Sequence, residues 1–227
     1  SGGVAHHFNN QMMIVAGYIH LALEDRQFSD KCVQDLHSAL QGANKASHLS
    51  RLMLTYLGQS ITVQNPMDLA ETCRQSLPVL RDMLPSHVTL RTSLPDSGPV
   101  VILSADHLQQ VLSNLFTNSV EALCEHPGWI ELSLHTVAAD DIPRHHRFPT
   151  GWQPQNERYA CLGVADNGCG IEENDIEKLF DPFYTSKFTG RGLGLAVILG
   201  VIKAHGGAIT VDSQPGQGAR FQLFLPL

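Results

Sequence analysis

Asp166-Asn167-Gly168-Cys169-Gly170-Ile171 follows directly on Arg158–Ala165, an apolar run that reads as a strand. A carboxylate at a strand end, followed by closely spaced glycines, suits a ligand pocket. The glycines let backbone approach the ligand, and the carboxylate can accept from an exocyclic amine such as that of adenine. Taken alone, such a run is most often a turn. Its weight comes from what stands on either side.

Upstream, Asn114 and Asn118 lie four apart, on one face of the amphipathic helix expected over Asp106–Cys124. Their neutral carboxamide oxygens suit a Mg²⁺ shell already rich in water and phosphate oxygens. Downstream, Gly190-Arg191-Gly192-Leu193-Gly194-Leu195 opens the apolar helix expected over Leu193–His205. Glycine-rich backbone leading into a helix N-terminus favours phosphate, through unpaired N–H groups and the helix dipole. The spacing of Gly190, Gly192 and Gly194 is not that of a dinucleotide-binding fold, and no first-strand βαβ unit surrounds it.

The flanking sequence supplies the rest of an α+β domain. Asp68–Met83 reads as a helix capped by Asp68. His87–Leu94, Val100–Leu103 and Trp129–Val137 read as strands, and Glu172–Phe180 as a short helix. Ala208–Ser213 and Arg220–Leu225 close the chain as strands joined by Gln214-Pro215-Gly216-Gln217-Gly218. The segment 138–157 reads as a long polar loop. Before this domain, residues 4–24 and Cys32 to about Leu57 show helical periodicity, followed by a linker from Gly58 to Pro66. Two amphipathic helices with a short link form a hairpin that cannot enclose a core alone, so a second copy is the simplest partner.

Asn114-Leu115-Phe116-Thr117-Asn118-Ser119-Val120-Glu121-Ala122, then Asp166 to Ile171, Phe180-Asp181-Pro182-Phe183, the glycines 190–194 and His205-Gly206-Gly207 come in a fixed order. This series resembles the ATP-binding domain of sensor histidine kinases, with its N, G1, F and G2 boxes. Ala5-His6-His7-Phe8-Asn9-Asn10 resembles that family's phosphoacceptor box, and the closest likeness is to the nitrogen-regulation type. The resemblance implies an α+β chain in two domains: a dimerisation and phosphotransfer hairpin over 1–60, forming a dimeric four-helix bundle, and a Bergerat-type α/β sandwich over 61–227. It implies ATP and Mg²⁺ as cofactors, a response-regulator receiver domain as partner and a homodimer through the hairpin. By the same likeness Asp166 binds the adenine amine, Gly168 and Gly170 shape its pocket, and Gly192, Gly194 and Lys187 meet the phosphates. Asn118 coordinates Mg²⁺ with Asn114 beside it. His6 accepts the phosphoryl group, and Asn10 orients water for dephosphorylation of the partner. A cytoplasmic setting is implied, with membrane attachment of a longer protein left open.

One position departs from the pattern. The family places Asp or Glu after the phosphoacceptor, where it fixes the tautomer and supports attack by the other ring nitrogen. This chain has His7 there. A neutral imidazole accepts a hydrogen bond without supplying negative charge. The expectation is therefore a kinase weakened at this step, with a degenerate ATP-binding regulatory module as the alternative. An ATPase of the gyrase or Hsp90 type is a third reading, against which the hairpin with His6 counts.

Composition agrees. The 227 residues are 43% hydrophobic and carry a formal charge of −7, which excludes disorder as the main state and counts against general nucleic-acid binding. Residues 1–60 hold four basic and four acidic residues, so the net charge belongs to the second part. No apolar run approaches the roughly 20 residues needed to span a bilayer, and no signal peptide opens the chain. The five Cys contain no CxxC pair, against a zinc ribbon or disulfide scaffold. Cys161 and Cys169 read as buried small residues. Trp129 and Trp152 have no aromatic neighbour at stacking spacing. His145-His146 with Asp140 and Asp141 offers metal-ligand chemistry, which ranks behind a solvated insertion.

Overall fold

The computed structural model describes residues 12–19, 22, 31, 33, 34, 36–40, 43, 65–182, 184 and 193–227. The chain divides into two compact units, Ser1–Ile61 and Thr62–Leu227. In the first, the described residues are helical throughout. Met13, Ile14, Val15 and Tyr18 stand exposed there, Tyr18 at 70%.

The second unit opens with strand β1 (Asn65–Asp68), where a linker was expected as far as Pro66, and passes into helix α1 (Leu69–Asp82). Asp68 caps α1 as the sequence indicates: its carboxylate accepts from Glu71 N at 3.0 Å. It also accepts from Gly98 N, at 3.2 and 3.0 Å to its two oxygens. The Glu71 bond foremost, with those to Gly98 and Ala70, holds this carboxyl below its ordinary value. Strands β2 (Val88–Ser93) and β3 (Val100–Leu103) follow, then helix α2 (Ala105–Leu123) and β4 (Gly128–Ala138). Ser104 caps α2 by accepting from His107 N at 3.1 Å. The chain continues through a 3₁₀ turn, β5 (Arg147–Phe148), β6 (Arg158–Asp166), helix α3 (Glu173–Ile176), helix α4 (Gly194–Ala204), β7 (Ala208–Ser213) and β8 (Ala219–Pro226).

Six strands form one sheet in the order β2-β4-β6-β8-β7-β5, and β1 pairs with β3 in a separate antiparallel pair. Only β2 and β4 run parallel, joined by a crossover through β3 and α2. The pleat divides the sheet. Ile130, Leu132, Ala160, Leu162, Val164, Ile209, Val211, Phe221 and Leu223 face one side. There they meet Leu108, Leu112, Leu115 and Phe116 of α2 and Ile198, Val201 and Ile202 of α4, all within 1% of full burial. Side chains of this size contribute about 1.5–3 kcal/mol each by burial.

The opposite face is partly covered by residues 139–157, expected as a solvated loop. Ile142, Tyr159, Cys161, Ala208 and Phe224 form a second small core there, with Trp152 against it. Trp152 meets Tyr159, seven residues on, edge-on at 5.4 Å, so it has the aromatic partner that the sequence did not reveal. Its indole N–H donates to Gly206 O at 3.0 Å. The Tyr159 hydroxyl accepts from Gln155 N and Asn156 N at 2.9 and 3.2 Å, which orders the end of the insertion. The helix expected over Glu172–Phe180 is shorter, with only Glu173–Ile176 α-helical before turns lead to Phe180.

Candidate functional site

The site forms where the C-terminal end of β6 meets α2 and the start of α4. Asp166 ends β6 and is 5% exposed. Its Oδ1 accepts from Gly168 N at 2.9 Å, which turns the chain sharply after the strand. Gly168 lies flat on α2: a Cβ there would stand 2.7 Å from the Ala122 carbonyl and 2.8 Å from the Ala122 Cβ. The next amide, Cys169 N, donates to Ala122 O at 3.0 Å. Glycine at 168 is thus required by the approach of strand end to helix. Cys169 itself is exposed, against the expectation of burial, because its backbone makes the packing contacts and its side chain projects outward. Cys161, by contrast, is buried as expected, and burial pushes its thiol up to about 11.

A second support comes from the turn between β7 and β8. Gly170 has φ +71° and leaves no room for a Cβ against Gln214 O. Gly218 has φ +81°, and a Cβ there would overlap Asp166 O. Gly216 N donates to Cys169 O at 2.7 Å. Ser213 Oγ accepts from Ile171 N at 2.9 Å and donates to Gly218 O at 2.7 Å. Asn167 Oδ1 accepts from Trp129 N at 2.7 Å, fixing the loop to the start of β4. Asn167, Ser213 and Gly218 were missed by sequence reasoning. Only Gly218 carried a signal, the Pro-Gly-Gln-Gly turn, and that signal spoke for the turn alone.

Asn114 and Asn118 sit on one face of α2, both half-buried. Asn114 Nδ2 approaches Gly194 O at 3.4 Å, so it bridges α2 to the first residue of α4. A Cβ on Gly194 would rest in ordinary contact with Asn114, 3.6 Å from its carboxamide carbon. Among the described residues no side chain caps α4, whose N-cap is Leu193. The leading N–H groups of a helix suit an anion. At the other end, Gly206 turns at φ +70° and the Gly207 backbone packs on Phe224 O. Those two glycines end a helix and seat a strand. The structure thus brings Asn114, Asn118, Asp166, Gly168, Gly170 and Gly194 into adjoining elements. His6, His7, Asn10, Lys187 and Gly192 lie outside the described residues.

The donor set fits a magnesium nucleotide. Asp166 offers a sheltered carboxylate at a strand end, Asn114 and Asn118 offer hard carboxamide oxygens, and α4 offers its leading amides. A separate cleft of about 240 Å³ adjoins Asp166 and is lined by Trp129, Ala165, Asp212 and Arg220. By the pleat it opens on the sheet face away from α2, so it is not the one that the two asparagines border.

A family model described as Histidine kinase-, DNA gyrase B-, and HSP90-like ATPase matches residues 104–227, more than half of the chain. Sensor kinase CckA of Brucella abortus is 31% identical over 228 residues, spanning 100% of this chain and 24% of CckA. Sensor histidine kinase ZraS of Escherichia coli is 28% identical over 228 residues, spanning 100% of this chain and 45% of ZraS. The chain therefore covers less than half the length of these curated relatives. Full-length ShkA, crystallised with AMPPNP, matches with a TM-score of 0.70 at 21% identity, over 99% of this chain and 44% of ShkA, a likeness of fold.

Proposed function

This chain belongs to the histidine kinase-, DNA gyrase B- and HSP90-like ATPase family, its α/β sandwich is the Bergerat fold, and we propose that it is the core of a two-component sensor histidine kinase. In this reading it binds ATP with Mg²⁺, phosphorylates His6 and passes the phosphoryl group to an Asp of a response-regulator receiver domain. The supporting observation is the meeting of Asp166, the Asn114–Asn118 face and the start of α4 around one strand end.

Asp166 accepts from the adenine amine, and the Gly168 turn keeps its carboxylate at the strand end. Gly170 keeps the pocket wall thin. Gly192, Gly194 and the leading amides of α4 take the phosphates, with Lys187 reaching them from the lid. Asn118 is the Mg²⁺ ligand and Asn114 stands beside it. The metal's contribution when bound is to spread charge on the phosphate oxygens. The lone pair of a neutral His6 ring nitrogen forms the new P–N bond as the bond from the γ-phosphorus to the bridging oxygen breaks, and ADP leaves with that electron pair. Asn10 orients water for the reverse duty, hydrolysis of the phosphorylated partner. Exposed Met13, Ile14 and Tyr18 support a homodimer through the hairpin.

The assay is Mg²⁺ with radiolabelled ATP on wild type, His6→Ala and His7→Asp. Acid-labile, base-stable label in wild type, lost in His6→Ala, is expected. Equal label in His6→Ala refutes the phosphoacceptor assignment. His7 favours a second reading, an ATP-binding regulatory module with little transfer. That reading gains if wild type binds nucleotide without labelling and His7→Asp restores label. Loss of partner dephosphorylation in Asn10→Ala is the expected sign of phosphatase duty, and an unchanged rate refutes it.

A further inference from the structure

The 139–157 insertion sets two imidazoles against a carboxylate from another part of the chain. His146 Nε2 lies 2.9 Å from Glu173 Oε1, and His145 Nε2 lies 3.5 Å from the same oxygen. One ligand atom from each of the three side chains falls within 4.8 Å of the other two. The imidazole rings are 3.6 Å apart, centroid to centroid. Asp140 and Asp141, the acids nearest in sequence, are not members of this cluster. The carboxylate comes instead from the first turn of α3.

Three features distinguish this cluster from a solvated loop. His146 holds φ +45°, a backbone conformation that costs a non-glycine residue about 1–3 kcal/mol. Its side chain is only 11% exposed, although the segment was expected to be solvated. The ligand spacing also suits a metal. With metal–nitrogen and metal–oxygen bonds of about 2.0–2.2 Å, tetrahedral coordination puts neighbouring ligand atoms about 3.3 Å apart. The two His–Glu separations, 2.9 and 3.5 Å, fall on either side of that value, and the His–His pair lies within 4.8 Å.

We propose that His145, His146 and Glu173 form a site for a divalent transition metal of the zinc type. Two imidazole nitrogens and one carboxylate oxygen select zinc and its neighbours over Mg²⁺ or Ca²⁺, which take all-oxygen shells. Three protein ligands leave a fourth position for water or a further ligand. The site joins two segments that already touch, since the Phe148 ring meets Phe180 at 4.6 Å. Bound metal therefore clamps the insertion to the segment that runs from the Asp166 loop to Phe180. This goes beyond the proposed kinase function and stands independently of it.

The test is calorimetric titration of Zn²⁺ into the full 227-residue chain, as wild type, His145→Ala, Glu173→Gln and His126→Ala. His145 and Glu173 side chains are 78% and 68% exposed, so neither substitution opens the core. One site per chain is expected, weakened at least tenfold by His145→Ala and by Glu173→Gln and unchanged by His126→Ala. Hydrogen exchange gives a second readout: Zn²⁺ should slow amides 144–148 in wild type and leave them unchanged in Glu173→Gln. Absence of binding, binding that survives both substitutions, or equal weakening by His126→Ala overturns the proposal.

Discussion

Substituting each of the two glycines in the β7–β8 turn separates backbone strain from support of the site. Gly216 and Gly218 have nearly the same conformation, φ +76° and φ +81°. An L-residue in this region costs about 1–2 kcal/mol. A Cβ on Gly216 would meet nothing within 4 Å, so Gly216→Ala should cost no more than that strain. The gain from a stiffer unfolded chain, about 0.4–1 kcal/mol, offsets part of it. At Gly218 the added Cβ would stand 2.7 Å from the Asp166 carbonyl carbon and 2.8 Å from Asn167 Cα, and closer still to the carbonyl oxygen. Those atoms are backbone of the strand end and cannot rotate away. Overpacking of this kind adds about 1–3 kcal/mol. Gly218→Ala should therefore be less stable than Gly216→Ala by about 1–3 kcal/mol, and it should displace Asp166. Both tryptophans, Trp129 and Trp152, lie in the Thr62–Leu227 unit, so selectively excited tryptophan fluorescence during urea unfolding reports that unit. Fluorescent ADP measured alongside should bind Gly218→Ala more weakly than Gly216→Ala. Equal unfolding midpoints with equal ADP affinity would falsify the claim that this turn props the strand end.

Asp166→Asn should lower ADP affinity about 10–100-fold, the loss of a charged hydrogen bond, while the urea midpoint of the domain changes little; an unchanged affinity refutes the role assigned to the carboxylate. Asn167→Ala removes the acceptor of Trp129 N and should cost about 1 kcal/mol, read as a lower urea midpoint. Asp68→Ala tests the α1 cap through pH. Folding holds this carboxyl below its ordinary 3.8, so its stabilisation is complete above that value and fades as pH falls through the folded value. Wild type should exceed Asp68→Ala by about 0.5–2 kcal/mol at pH 7, and thermal melts should show the gap narrowing below about pH 4. A gap that holds constant to pH 2 contradicts the capping account.

Much of the ATP-binding domain was legible because its determinants are local. The periodicity of Leu108, Val111, Leu112 and Leu115 draws a helix without knowledge of its partner. Asp68 announces a cap by its place before a helical run. Asn114 and Asn118 share a face by spacing alone. The ordered glycine clusters carry their chemistry in residue type, since only glycine admits such close backbone approach. Short structured segments were less legible. Strand β5, two residues within 138–157, forms because β7 offers it an edge. Without that edge the same residues read as loop.

What the amino-acid order determined by itself was the longer helices and strands of the second unit and the side chains that bear chemistry: the asparagine face, the carboxylate at the end of β6 and the glycine-led helix. What only the tertiary structure decided was which backbone those side chains rest on. Gly218 supports Asp166 across more than 50 residues, Trp152 finds Gly206, and His146 takes Glu173 as its carboxylate in place of the nearer Asp140 and Asp141. The physical reason is separation along the chain. Periodicity and capping act within a few residues, whereas strand order and the packing of a turn on a strand end follow from burying apolar surface over the whole domain.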